Sequence, residues 1–228
     1  GQKSLTSFQA RNPTNFLEII NEFDNEYPSD NKGNKLKFVQ QIAKQSNVYS
    51  KIIKDKYENG KNTVSYGNSN LERQLEIVSQ LISGGLKSRI YFVEFGGFDT
   101  HDTQVDLSDR TKGQHAVLLK RLNDAVITFI KNLDASGHSE NVLTMTFSEF
   151  GRTIVSNETN GTDHGTAAPL FIFGNKVDSS ISGANPQIPE SVNWEDNLNS
   201  EFDFRQVYAS IINQWMSGGK KSAKDILF

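Results

Sequence analysis

Between residues 90 and 147 an apolar run, a long amphipathic stretch and a second apolar run follow one another, and few folds accommodate that order. Residues 90–95, Ile-Tyr-Phe-Val-Glu-Phe, are β-branched and aromatic and run into Gly96-Gly97, which reads as a short buried strand. In residues 114–133, Val117, Leu118, Leu122, Ala125, Val126, Phe129, Ile130 and Leu133 recur at helical spacing, and Gly137 sits just past the end. Residues 142–147 predict the next strand, and residues 170–173, closed by Gly174, a third. Strand, helix and strand in that order make a βαβ crossover, which implies parallel neighbours and a right-handed connection. The expected class is α/β: a partly parallel sheet flanked by helices, with a helical N-terminal portion.

That N-terminal portion spans residues 14–58. Phe16, Leu17, Ile19, Ile20 and Phe23 form one apolar stripe. Leu36, Phe38, Val39, Ile42 and Ala43 begin a second, continued by Val48, Ile52 and Ile53. The Pro and Gly of residues 27–33 predict a loop between them. A third helix is expected over residues 71–82, with Leu71, Leu75, Val78, Leu81 and Ile82 on one face and Gly84-Gly85 as terminator. Residues 174–203, rich in Asn, Ser, Gly and Pro, predict a surface excursion. The helix over 204–216 turns Val207, Tyr208, Ile211, Ile212 and Trp215 inward. With 228 residues the expectation is a single α/β domain over 1–228, helical over 1–70 and sheet-containing over 71–228. Three strands are few for this length, and the first helices have no preceding strand. The chain is therefore expected to be the C-terminal part of a larger domain.

A formal net charge of -3 and a pI near 5.8 argue against nucleic-acid binding. The basic run over 51–61 also carries Asp55 and Glu58 and reads as a solvated helix face. With no cysteine, disulfides, thiolate metal sites and Cys nucleophiles are excluded. No apolar stretch is long enough to span a membrane, and the start of the chain carries no signal sequence.

The residues capable of chemistry gather at the ends of the apolar runs, where open α/β sheets bind ligands. Asp99 and His101 stand at i and i+2, so in extended backbone both side chains point to one side. Together they suit a divalent cation such as zinc or manganese, with calcium a further candidate. Alternatively Asp99 orients His101 as a base, or caps a turn at Gly96-Gly97. Asp163 and His164 lie between Gly161 and Gly165, which let backbone and ligand approach closely, and a functional role is preferred to a plain surface loop. Glu149 is a candidate ligand or acid/base, and Arg152 a clamp for an anionic oxygen; a structural Glu149–Arg152 ion pair is equally in keeping with the pattern. His115 and His138 read as surface or helix-end histidines. Scattered aromatics (Tyr66, Phe98, Trp194) offer only weak grounds for a carbohydrate-binding surface.

Taken together, Gly96-Gly-Phe-Asp-Thr-His101, Ser148-Glu-Phe-Gly-Arg-Thr153 and Gly161-Thr-Asp-His-Gly165 resemble the bacterial family catalogued as domain of unknown function 1501. Residues 203–208 fit that family's closing helix, and the similarity runs from about Leu71 to Trp215. The family is grouped with the alkaline phosphatase and sulfatase superfamily. The resemblance implies an α/β sandwich with a metal site at strand ends and hydrolysis of phosphate or sulfate esters. Asp99, His101, Asp163 and His164 would be metal ligands, Glu149 a further ligand or acid/base, and Arg152 the stabiliser of the transferred anion. The substrate class implied is a small anionic ester or a sulfated or phosphorylated glycan. Two departures stand out: Asp99 and His101 are closer together than in the superfamily, and Glu149-Phe150 replaces an Asp-His pair. The superfamily nucleophile lies in an N-terminal half, so the resemblance implies a C-terminal fragment of an exported protein whose missing segment is its partner. The alternative expectation is a binding or assembly protein that keeps the fold with a degenerate site.

Overall fold

The computed structural model describes residues 34–178, 180–216 and 223, with side chains described from Ser46 onward except Asn47. The stripe expected at 16–23 and the loop at 27–33 lie outside these residues, as do the side chains of Leu36, Phe38, Val39, Ile42 and Ala43. Four helices are described: α1 (Asn34–Asn59), α2 (Asn70–Ser83), α3 (Gln114–Ala135) and α4 (Phe204–Ile211). Four two-residue strands accompany them: β1 (Thr144–Met145), β2 (Gly151–Arg152), β3 (His164–Gly165) and β4 (Ile172–Phe173). The chain is mixed α/β and divides into two compact units. One comprises the described parts of Gly1–Gly96 with Lys120–Val142, the other Gly97–Leu119 with the described parts of Leu143–Phe228.

The first unit is helical because two apolar stripes need each other. Leu71 and Leu75 of α2 and Ala125, Phe129 and Leu133 of α3 form its buried core, with Val78, Ile82 and Leu122 packed against it. Ser69 caps α2 by accepting from Glu72 N, while the Glu72 carboxylate accepts from Ser69 N at 3.0 Å. Gly85 and Gly137, both at positive φ, close α2 and α3; Leu86 N donates to Leu81 O and His138 N to Leu133 O. On α1 the inner face is rotated from the expected one. Ile53, Lys56 and Tyr57 are half-buried, whereas Val48 and Ile52 are exposed. Lys54 pairs with Glu58 at 3.7 Å on the solvated side.

Asn132, fully buried on α3, ties this unit together. Its Oδ1 accepts from Thr63 N at 2.7 Å, Thr63 Oγ1 at 2.9 Å and Val64 N at 3.1 Å, and its Nδ2 donates to Asn62 Oδ1 at 2.9 Å and to Ser79 Oγ. The linker 62–64 is neither helix nor strand, and one side-chain amide takes up its Thr63 and Val64 N–H groups.

The expected strand at 90–95 is extended but enters no sheet among the described residues. Val93 and Phe95 lie on the helical core, while Ile90 and Phe92 are each 72% exposed, so one face is dry and the other wet. At Glu94 the ladder position is taken by a side chain: Gln74 Oε1 accepts from Glu94 N at 2.9 Å, and Gln74 Nε2 donates to Glu94 O at 2.8 Å. The parallel βαβ pairing expected from the sequence is not found among the described residues. Both described sheets are antiparallel pairs, Thr144 opposite Phe173 and Gly151 opposite Gly165.

In the second unit, α4 starts at Asp203, which accepts from Arg205 N at 2.8 Å and shares a capping box with Gln206. The helix widens to a π turn over Ile212–Met216. Val207, Tyr208, Ile211 and Ile212 are half-buried, while Trp215 is exposed. The described residues of 174–203 form the expected excursion, with Ile181, Ile188 and Trp194 exposed.

Replacing Asn132 with Leu keeps the volume but leaves the buried Ser79 hydroxyl and the partly buried bonds to Asn62, Thr63 and Val64 without their partner. A loss of roughly 2–4 kcal/mol is expected from the cost of unsatisfied buried groups. Urea denaturation reads it, and an unchanged midpoint would refute the hub role. The Asp203 carboxyl is held down to about 2, chiefly by the Arg205 side chain, then by the Arg205 amide. A lowered folded value means that the cap is fully present above the ordinary carboxylate range and is lost as pH falls through about 2. In an acid titration followed by NMR, the Arg205 amide should keep its capped shift at pH ~3.5 and lose it only near the folded value. Loss at the ordinary carboxylate value would rule the cap interaction out.

Candidate metal centre

Three segments of the second unit build the cluster. Residues 99–104 run alongside 157–162: Thr103 N donates to Thr159 O at 3.1 Å, Gln104 N to Asn160 O at 3.1 Å and Thr162 N to Thr100 O at 3.3 Å. Residues 163–165 run alongside 151–153, with Arg152 opposite His164 and Thr153 N donating to Asp163 O at 3.0 Å. Two glycines permit this. A Cβ on Gly161 would stand 2.2 Å from His101 O, and one on Gly165 would stand 2.3 Å from Arg152 O. The close approach is of backbone to backbone, where the sequence suggested backbone to ligand.

Thr100 is buried, which turns its neighbours Asp99 and His101 together to the open side. Asp99 Oδ1 then faces three nitrogens: His164 Nε2 at 2.8 Å, Arg152 Nη1 at 2.8 Å and His101 Nε2 at 2.9 Å. The other ring nitrogen of His101, Nδ1, lies 2.9 Å from Asp163 Oδ1. Ligand atoms of Asp99, His101 and His164 all fall within 4.8 Å of one another. The four side chains Asp99, His101, Asp163 and His164 are about half exposed, at 53%, 48%, 51% and 50%. Solvent therefore reaches the cluster.

Arg152 is the most enclosed member, with 19% of its side chain exposed. Its Nε donates to Thr162 Oγ1 at 2.9 Å, its Nη2 to Thr162 O and its Nη1 to Asp99 Oδ1 at 2.8 Å. All three guanidinium nitrogens are thus engaged within the protein. The partner of Arg152 is Asp99 and not Glu149, which is exposed and makes no hydrogen bond or ion pair with a described residue. Phe150 stacks flat on His164, with ring centroids 3.9 Å apart and planes 9° from parallel, and so restrains the imidazole.

The charges are mutually supporting. Hydrogen bonds from His164, then from Arg152, hold the Asp99 carboxyl below its usual range. The hydrogen bond from His101, then that from Asn157, does the same for Asp163. Both stay ionised as acceptors. A neutral imidazole carries one N–H, so His101 as a neutral ring donates to one carboxylate and turns a lone pair on the other. A second proton removes that mismatch. A cation bound on the Asp99 side removes it as well.

Several supporting residues escaped the sequence. Gln104 Oε1 accepts from both Thr100 Oγ1 and Thr162 Oγ1 at 2.8 Å, clamping two segments. Asn157 Nδ2 donates to His101 O at 2.7 Å and Asp163 Oδ1 at 3.3 Å, and Thr159 Oγ1 donates to His101 O at 2.6 Å. His115 is half-buried, with its ring edge toward Phe98 at 6.1 Å, and burial, then the Arg152 charge, pushes its pKa down. Polar residues clustered within a few positions of the candidate ligands were the one signal available.

Comparison with known proteins gives one positive result. No curated protein and no solved structure matches the chain. The model of the family described as "Protein of unknown function (DUF1501)" matches residues 17–212. Most of the chain is covered, including all the segments that build the cluster, and the chain belongs to this family.

Proposed function

We propose that Asp99, His101 and His164 form a divalent-cation centre in a hydrolase-like domain that acts on phosphate or sulfate esters. The observation that carries the reading is the convergence of two imidazole Nε2 atoms on one carboxylate oxygen at 2.8 and 2.9 Å. Two nitrogens and one oxygen fit zinc or manganese, and leave a coordination position open as in catalytic sites. Calcium, which prefers a shell of oxygens, fits this set less well. When bound, such a cation polarises an ester oxygen and makes water more acidic.

The chain's own groups have defined parts in this reading. Arg152 fixes Asp99 and the 162 backbone, and only its second hydrogens on Nη1 and Nη2 are left for an anionic oxygen. Phe150 holds the plane of His164. Glu149 receives no role, because it stands outside the cluster. The acidic chain gives no support for a nucleic-acid partner, and no helix among the described residues is long and apolar enough to cross a membrane. Placement in the alkaline phosphatase/sulfatase superfamily, export and a sulfated or phosphorylated glycan as substrate belong to the same proposal.

One observation favours a second reading, a non-catalytic binding or assembly domain. The hydroxyls beside the cluster are committed: Thr100 and Thr162 to Gln104, Thr159 to His101 O, and Ser148 to Phe150 O. None is poised to attack an ester.

Chelator-stripped protein reloaded with zinc or manganese should hold about one ion per chain by elemental analysis. Asp99→Ala and His164→Ala should each reduce that to background while the far-UV spectrum is kept. Hydrolysis of p-nitrophenyl phosphate or sulfate should follow the metal content. Occupancy below about half an ion per chain in the parent protein would sink the metal centre. Full occupancy without turnover would select the second reading.

A further inference from the structure

We infer that Asp163 is a positioning residue: it holds the Nδ1–H of His101, so that Nε2 is the nitrogen presented to the cation beside Asp99 and His164. The inference rests on the metal-centre reading and sharpens it, since the family resemblance implies a ligand role for Asp163.

The geometry separates the two roles. Nδ1 and Nε2 diverge across an imidazole ring. Asp163 Oδ1 lies 2.9 Å from Nδ1, whereas Asp99 Oδ1 lies 2.9 Å from Nε2. Asp163 therefore stands on the far side of the ring from the convergent nitrogens. Its oxygen has a second engagement, accepting from Asn157 Nδ2 at 3.3 Å, and its backbone is pinned just past β2 by Thr153 Oγ1, which accepts from Asp163 N at 3.1 Å. Asp163 is also not among the residues whose ligand atoms converge within 4.8 Å of one another. Left in place, it completes a carboxylate–histidine–metal arrangement, in which the outer carboxylate fixes the ring tautomer and raises ligand basicity.

The arrangement also disposes of the proton problem at His101. With its single proton on Nδ1 and shared with Asp163, the ring offers the Nε2 lone pair toward the Asp99 side, where a cation and not a second proton satisfies it. Asn157 adds rigidity by donating to both Asp163 Oδ1 and His101 O, which binds the orienting carboxylate and the oriented residue to one amide.

The test uses the whole chain, zinc as the probe, competition against a chromophoric chelator for affinity and imidazole nitrogen NMR for the tautomer. The zinc-loaded parent should show His101 protonated at Nδ1 and coordinated at Nε2. Asp163→Ala should weaken zinc binding about 10–100-fold. Asp163→Asn, whose amide oxygen still accepts from Nδ1–H, should recover most of that loss. His164→Ala, a ligand loss, should be more damaging than either. His101 coordinated through Nδ1, an Asp163→Asn loss equal to that of His164→Ala, or an Asp163→Ala affinity within about threefold of the parent would overturn the inference and leave the metal centre standing. A parent chain that takes up no zinc would overturn both. Should Asp163→Ala fail to fold by its urea profile, the parent tautomer and the Asn variant decide.

Discussion

The cluster depends on how closely two pieces of backbone pass each other at Gly161 and Gly165. Any side chain there would meet the carbonyl oxygen of His101 or Arg152 well inside contact distance. Because the strands can close up, the carbonyls of residues 100 and 163 accept from the amides of 162 and 153, and the side chains on those segments inherit their positions. Asp99, His101, Asp163, His164 and Arg152 come from three parts of the chain, and backbone pairing brings them together before any charge attracts another.

Electrostatics alone would not assemble such a group. Ion pairs between half-exposed side chains contribute little, because solvent screens them and holding long side chains in one geometry is costly. Here the enclosed member, Arg152, is anchored to Thr162 through hydrogen bonds to neutral oxygens, and Gln104 and Asn157 fasten the segments around it. The pairs then act on groups that are already ordered. The cluster holds two carboxylates, one on Arg152 and one on His101, against a single guanidinium, so with neutral imidazoles it carries an excess of negative charge, the sign that favours a cation.

Side-chain amides also explain which parts of the fold were legible in the sequence. Helix α2, with its Ser69 cap, its apolar stripe and its double glycine, is encoded locally, and the long helix with Gly137 is too. The sheet is not. The apolar run 90–95 reads as a buried strand, yet only Val93 and Phe95 of it pack on the helical core while Ile90 and Phe92 are exposed, and such a run says nothing about what the backbone pairs with. Gln74 fills that place at Glu94, as Asn132 does for residues 63 and 64 and Asn197 for Thr166 N at 3.0 Å. A carboxamide carries one donor and one acceptor group, like a peptide, and can stand in for a neighbouring strand. Its partner is fixed by the tertiary structure, so neither Gln74 nor Asn132 announces itself in the sequence. The candidate site was more readable because the chemistry-bearing residue types sit between glycines. What the spacing could not give was the sidedness of His101, or the choice of Asp99 over Glu149 as the partner of Arg152.

Phe150 bears on what the cluster is built for. An imidazole or carboxylate in its place, stacked against His164, would bring a further donor atom toward the convergent nitrogens. An aromatic ring brings none, and at 3.9 Å it shields one face of His164 while fixing its plane. Arg152 lies over the same ring at 5.6 Å, so Phe150 also supports the guanidinium that holds Asp99. One apolar side chain thereby positions two members of the cluster without adding to its coordination capacity. A closed structural metal site needs four protein donors. Three convergent donor groups, one orienting ring and an open, solvated side suit instead the proposed centre, with room for a group that the protein does not supply.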